Sequence, residues 1–539
     1  MPITNNRPSE FLLSIFCFPS PAFPLRARDV QIYRVCEDLT EVLIYAMVMF
    51  GPWAFGTTQP WSIWLMNSAG YLLGVLLAGK WIIRHFKGYH PPRWGTGGGQ
   101  RAEVGIPAVR GSPSSFQLFS FSAFQHFRWS AVLALLTVAI LVYCLVSAVN
   151  ARSTFLPNEL SFAYSDSYLK WLPHSFDSSR TWVAFWSYLG LAGSFWAVRD
   201  WLLGKSAGEE RAEHGKSRPG VAGVAPPLPA RLRRLLWVLA LNGALLGLEG
   251  IIQRLEGSGK LLFLVKPRVN PGADTQFGPY AYRANAAQYF NLLWPVCLGF
   301  WWTLNRSFGV KRQAYHLLLV CCVIMAACPV ISTSRAGAVV TVGIIALAAF
   351  FLSAAHFLLA ARRQPNRKTR TINVLLLCLF FTGALTLGFA LGWKTLKPRM
   401  VHLSGDSKLR ERMYEVARPM AVDYPLFGTG PGTFATVFQL YRISTDTYWP
   451  AQLHNDWLET RITFGWFGSG LIALTFLMVL LRWFARGGIH GGRRFTVLIW
   501  LALGGCLAHA RYDFPFQIHS IVFLFLVLCA ITSILSRRP

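Results

Sequence analysis

Residues 454–480 read HNDWLETRITFGWFGSGLIALTFLMVL, a polar head carrying a titratable imidazole that runs straight into an apolar tract. The tract is long enough to enter a hydrocarbon core as a helix. His454 then stands at the mouth of that helix, where an ionisable group is costly to keep and suited to proton transfer. Asn455 follows it, and Gly465 and Gly468 come after a further nine residues, the most specific spacing in the chain.

The rest of the sequence agrees with a membrane environment. Hydrophobic residues make up 53% of the 539, aromatics 14% and charged residues only 14%, which an ordinary soluble globule cannot arrange. Apolar stretches of roughly 17 to 25 residues, the length that crosses a ~30 Å core, recur about twelve times. They centre near residues 48, 72, 138, 191, 242, 295, 322, 348, 383, 472, 502 and 527. The expected fold is all-α, a polytopic integral membrane protein of about 12 transmembrane helices in a single domain over residues 1–539.

Charge alternation sets the orientation. Basic residues gather in every second connection: Arg84 to Arg110, Lys205 to Arg234, Arg306 to Arg312, Arg362 to Arg370, Arg482 to Arg494, and Arg537 with Arg538. By the positive-inside rule these lie in the cytoplasm, which puts both termini there. The same clustering accounts for the net charge of +28. No separate basic patch remains for nucleic acid, and none is expected as a partner. Residues 1–38 hold Pro19, Pro21 and Pro24 but no continuous apolar core, and read as a cytosolic lead-in. The loops 86–127 and 203–231 are rich in Gly, Pro and Ser and read as flexible cytosolic tethers. Eight of the ten cysteines fall in apolar stretches without ligand spacing, and read as small buried side chains.

The outside loops differ, with aromatics, Asn, Asp and Pro in patterns that suggest ordered structure. In the largest, residues 395–455, Leu409, Met413, Val416 and Met420 recur near helical spacing, predicting a short amphipathic helix that caps the membrane surface. PLFGTGPGTF follows, with Gly428, Gly430 and Gly432. Two readings of this turn stand: backbone amides open to a phosphate, or a tight turn needing positive φ.

Four groups of polar residues fall at outside boundaries under one topology. Arg283 and Asn285 open the sixth span, Arg335 opens the eighth, His454 and Asn455 precede the tenth, and Arg511 and Asp513 close the eleventh. Arg335 is either an interfacial anchor or, held with Ser334 in a very short turn, a bidentate phosphate ligand. His454 is either a satisfied interfacial histidine or a base near neutral pH, with Asn455 or backbone as its orienting partner. Asp513 reads first as a structural ion pair with Arg511 or another arginine.

STSRAG, FGPYAYRANAAQYFNLLWP, DYPLFGTGPGTF and HNDWLETRITFGWFG, in this order and spacing over residues 250–515, resemble the O-antigen ligase and polymerase superfamily of bacterial envelope glycosyltransferases. The resemblance implies transfer, on the periplasmic side of the inner membrane, of a glycan from undecaprenyl diphosphate to an acceptor sugar hydroxyl. In ligases the acceptor is the lipid A core; in polymerases it is a growing lipid-linked glycan. Carried over by position, Arg335 holds the donor diphosphate and His454 acts on the acceptor hydroxyl, as the catalytic pair. Arg283, Asn285, Ser334, Asn455, Gly430 and Asp513 are the implied substrate-binding set, and neither metal nor cofactor is implied. The ligase is the preferred reading and an O-antigen or exopolysaccharide polymerase its alternative. A flippase for lipid-linked glycan would require mid-span charges and repeat symmetry, and a scaffold would tolerate loss of His454 and Arg335.

Overall fold

In lipid a chain satisfies its backbone N–H and C=O groups within helices, and the computed structural model is built of them. It describes residues 24–94, 121–206, 208–209, 228–308, 313–360, 367–401, 403–442, 451–485 and 493–535. The long helices there are α1 (Ala27–Trp53), α2 (Pro60–Phe86), α3 (Phe121–Val149), α4 (Ser178–Leu203), α5 (Ala230–Glu256), α6 (Arg283–Phe308) and α7 (Leu317–Ile331). They continue with α8 (Arg335–Ala360), α9 (Arg367–Val401), α10 (Leu403–Asp423), α11 (Asp456–Ala485), α12 (Arg493–His509) and α13 (His519–Leu535). Each expected span centre falls inside a helix, and the remaining one, α10, is the amphipathic helix.

Seven of them, α2, α3, α5, α7, α8, α9 and α11, are long and apolar enough to cross a membrane. α12 and α13 are apolar but shorter. α1, α4 and α6 carry more polar groups, and for α6 the position explains why. Residues 284–305 of α6 are buried without interruption, because α5, α7, α8, α12 and α13 pack around it. A helix surrounded by protein meets no lipid, so its amides can be matched by neighbours instead. Asn291 Nδ2 donates to the Gly337 carbonyl at 3.1 Å and the Thr341 hydroxyl donates to Asn291 Oδ1 at 2.7 Å. A Cβ at Gly337 would sit 2.4 Å from the Ala287 Cβ, so the glycine and the alanine together let α8 close onto α6.

At one end of α1, α2, α4 and α5 the basic residues meet carboxylates. Lys80 is fully buried between Glu37 and Asp200, 3.1 Å from each. Arg84 and Arg93 each lie 2.7 Å from Asp200, and Arg231 pairs with Glu37. The stretch after α2 is pinned there, the Trp94 amide donating to the Leu203 carbonyl at 2.9 Å.

Three boundaries differ from expectation. α1 begins at Ala27, inside the expected lead-in, where Asp29 accepts the Arg26 amide at 3.0 Å. α3 takes up the last residues of the expected 86–127 loop. An antiparallel hairpin, β1 (Ser153–Leu156) with β2 (Ser161–Tyr164), folds between α3 and α4, in one of the outside loops for which the sequence predicted order but not strands. Much of both expected tethers, residues 95–120, 207 and 210–227, lies outside the described residues, as do 1–23 of the lead-in and 443–450 of the large loop.

In α10 Met420 is fully buried and Met413 and Val416 are partly so, against Phe176, Phe434, Leu453 and Ile462. Leu409, expected on the same stripe, is exposed. The buried face of α10 is thus set one turn later than the hydrophobic pattern predicts.

Candidate active site

His454 sits one residue before the cap of α11. Asn455 supplies that cap: its side-chain oxygen accepts the Leu458 amide at 3.2 Å, satisfying one of the helix's orphan donors. Asn455 therefore faces the helix start and not the imidazole. The partner of His454 is Asp513, whose Oδ1 lies 3.0 Å from Nδ1. A carboxylate can only accept, so Nδ1 carries the proton and Nε2 is left as the basic nitrogen. Asp456 joins the two segments that carry this pair. Its amide donates to the Ala510 carbonyl at 2.9 Å, and its carboxylate accepts the Phe516 amide at 2.7 Å.

Asp513 is buried, and its second oxygen accepts the Tyr282 hydroxyl at 3.1 Å. Burial alone would raise the Asp513 carboxyl. The His454 hydrogen bond and the Arg410 charge outweigh it, joined by His454 and His509 once they are protonated, and hold the group below the ordinary carboxylate range. Burial pushes the Tyr282 hydroxyl up, which keeps it a protonated donor. The Tyr282 and Phe514 rings stack in parallel 5.5 Å apart, and the imidazole stands edge-on to both. The backbone of His454 has φ of +58°, uncommon for a residue with a side chain. The Tyr414 hydroxyl holds it by donating to the His454 carbonyl at 2.8 Å.

The next residue after Tyr282 opens the cationic half of the site. Arg283 Nη1 donates to the Asp274 carbonyl at 2.6 Å, and the Thr333 hydroxyl reaches the same oxygen at 3.5 Å. Thr333 has φ of +61° in the three-residue turn between α7 and α8. Ser334 caps α8 there by accepting the Gly337 amide at 3.2 Å, and Arg335 follows as its first residue. Arg335 Nη1 donates to the Arg399 carbonyl at 3.2 Å, which ties the start of α8 to the end of α9. Arg254, from the last turn of α5, donates to the carbonyls of Ala273 and Gln276, both at 2.8 Å, and of Ser332 at 3.2 Å. Arg283 feels the charges of Arg399, Asp274 and Arg254. Arg254 and Arg283, from the ends of α5 and α6, therefore meet at the 273–276 loop within the field of Arg399 at the end of α9, Arg335 is tied to the Arg399 carbonyl, and the Tyr282–Arg283 peptide links this group to the imidazole.

Asn285 lies in the first turn of α6, buried, with its side-chain oxygen lacking a partner among the described residues. Gly430 does something other than offer an open cradle. The amides of Thr429 and Gly430 donate to the carbonyls of Ile462 at 2.9 Å and Thr463 at 3.0 Å, where α11 is broken. The break is Gly465, at φ 61° and ψ −168°, where a Cβ would lie 2.2 Å from the Leu426 carbonyl oxygen. Of the two readings of the glycine turn, this geometry is that of the packed turn. The Tyr143 hydroxyl donates to Phe427 O at 2.5 Å and to Phe464 O at 3.1 Å, closing the kink from α3.

Asp513 pairs with His454 and feels Arg410, whereas Arg511 is exposed and lies over the Tyr512 ring. Tyr282, Arg254, Arg399, Arg410 and Tyr414 were not singled out in the sequence. A tyrosine or arginine beside an apolar tract has the appearance of an interfacial anchor, although Tyr282 stands next to the singled-out Arg283.

No curated protein matches the chain. Residues 320–473 match the family model described as O-antigen ligase, a segment that holds Arg335, Arg399, Arg410, Gly430, His454 and the Gly465 break. Over that segment, under a third of its length, the chain is thus similar to the O-antigen ligase family.

Proposed function

We propose that the protein is an O-antigen ligase, working in the bacterial inner membrane with both termini in the cytoplasm, about twelve spans, and its site on the periplasmic face. It moves a glycan from undecaprenyl diphosphate to a hydroxyl of the lipid A core. The match over residues 320–473 supports the coarser part: members of the O-antigen ligase family are glycosyltransferase-like enzymes that work with lipid-linked glycans and acceptors.

The observation that carries the reading is the His454–Asp513 pair set beside the arginine-lined Asp274 loop. Asp513 fixes the imidazole so that Nε2 takes the proton of the acceptor hydroxyl. The oxygen then attacks the anomeric carbon of the donor sugar, the new glycosidic bond forms, and the bond to the diphosphate breaks. Arg335 and Arg283 neutralise the charge that develops on the leaving diphosphate, in a setting where low dielectric strengthens each contact. The arginines supply the cationic charge, so the reading assigns no metal to the step. Ser334 holds the first turn of α8 and thereby aims Arg335. Asn455 and Gly430 act on the site from behind, by fixing the cap and the break of α11. Asn285, whose buried side-chain oxygen has no partner among the described residues, is assigned to a substrate hydroxyl.

The test is transfer by purified full-length protein from a synthetic undecaprenyl-diphosphate oligosaccharide, offered lipid A core or the donor glycan as acceptor. Product on lipid A core that is lost in His454→Ala and Arg335→Ala supports the ligase. Product on the glycan alone would make it a polymerase. Movement of lipid-linked glycan across a vesicle without bond formation would contradict the enzyme reading.

A further inference from the structure

The two residues of the proposed base pair belong to segments far apart in the chain, one entering α11 and one leaving α12, and α10 touches both. Arg410 Nη1 donates to the Tyr512 carbonyl, one residue before Asp513. Its Nη2 donates at 3.2 Å to the Tyr282 hydroxyl, which in turn donates to Asp513. One turn further along α10, Tyr414 donates to the carbonyl of His454 itself. Residues four apart on a helix share a face, so a single face of α10 grips both halves of the pair. That face is anchored independently: Tyr414, Ala417 and Met420 pack against Phe176, Phe434 and Ile462, and against Leu453, the residue before His454.

We propose that α10 is the positioning element of this site, with Arg410 and Tyr414 as positioning residues that hold Asp513 and His454 at their working separation. The inference rests on the His454-centred transfer reading given above. Neither side chain needs to touch substrate. Arg410 acts through Tyr282 and the Tyr512 carbonyl. Tyr414 acts through the His454 backbone, which adopts an uncommon conformation that needs an external hold. A base displaced by about 1 Å costs on the order of 10²-fold in rate. The amphipathic helix is thus tied to the chemistry and does more than cover it.

Arg410 also contributes charge. The titratable and charged groups around Asp513 are His454, Asp456, Arg410, Tyr414, His509 and Tyr282. Burial works to raise the Asp513 carboxyl and Arg410 is among the groups that lower it. Without Arg410 the carboxyl moves up, so Asp513 loses its charge at a higher pH on acidification.

The test uses full-length protein in nanodiscs, the undecaprenyl-diphosphate oligosaccharide as donor, lipid A core and the donor glycan each as acceptor, and His454→Ala as reference. Arg410→Ala is expected to lower kcat roughly 10- to 100-fold, to leave the donor KM unchanged, and to move the acid limb of the pH profile upward. Arg410→Lys keeps the charge but not the two-point fork, so it restores the acid limb while kcat stays low. Tyr414→Phe lowers kcat with the acid limb in place. Wild-type kcat and pH profile in Arg410→Ala and Tyr414→Phe, with His454→Ala inactive, would overturn the proposal. So would a loss matched by lost folded protein with an unmoved acid limb. Activity persisting in His454→Ala would instead overturn the transfer reading on which the proposal stands.

Discussion

His454 Nδ1 lies 3.0 Å from Asp513 Oδ1 although 59 residues separate them in the chain. The pair forms because Asp456 binds the Asp513 segment through both its amide and its carboxylate. Asp513→Asn keeps the shape but removes the charge that holds the imidazole tautomer. Transfer should fall by roughly 10²- to 10⁴-fold, the range of general base catalysis, in a steady-state assay with folded protein.

The same pair predicts a dependence of stability on pH. The folded Asp513 carboxyl lies below its ordinary value because of His454, Arg410 and His509, against the effect of burial. A depressed acid contributes stability above its unfolded pKa and loses it as pH falls through the folded one. Thermal unfolding of the wild type should weaken on acidification through the carboxylate range. In Asp513→Asn that part of the decline should be missing, and an identical slope in both proteins would contradict the assignment.

Arg335 and Arg283 are assigned the diphosphate. Arg335→Ala should reduce kcat/KM for the donor by roughly 10²- to 10³-fold, in line with loss of one transition-state donor. Arg335→Lys should recover only part of it, since an ammonium lacks the planar fork. The measurement is donor titration at saturating acceptor; an unchanged kcat/KM in Arg335→Ala would return this residue to the role of membrane anchor.

Gly465 permits a helix break that no L side chain adopts without strain. Gly465→Ala should lower stability by roughly 1 to 3 kcal/mol from the backbone alone, and more from the clash with the Leu426 carbonyl. Thermal unfolding in detergent reports the loss. A Tm equal to wild type would show that α11 can run straight.

Asp200 holds Lys80, Arg84 and Arg93 together at the far end of α2 and α4. Asp200→Asn leaves these cations facing one another and should cost about 3 to 5 kcal/mol, as breaking a buried pair does. The donor KM of the folded fraction should be unchanged, which separates this network from the transfer site.

Hydropathy exposed the helices because lipid demands it, and each expected centre lies in one. It could not separate a lipid-facing helix from α6, which is sheathed by protein and keeps its amides for neighbours. Boundary charges marked Arg283, Arg335, His454 and Asp513, since ions are unwelcome there. Their pairing was not legible: Asn455 is nearer to His454 in sequence, and only the packing of α11 on the 510–517 segment brings Asp513 in. Gly430 had two readings in the sequence, and the carbonyls freed by the Gly465 break take the amides of its turn. Tyr282 and Arg410 were hidden because a basic, aromatic-rich chain has many such residues at its interfaces.

The role proposed for His454 is that of the base in glycan transfer from a polyprenyl diphosphate. Its most direct test is single-turnover transfer of a labelled glycan from the undecaprenyl-diphosphate donor to lipid A core, comparing wild type with His454→Ala at equal folded concentration and saturating donor. Labelled product is expected with the wild type, and a rate at least roughly 10²-fold lower in the variant, with donor binding retained. Equal rates in the two proteins would contradict it.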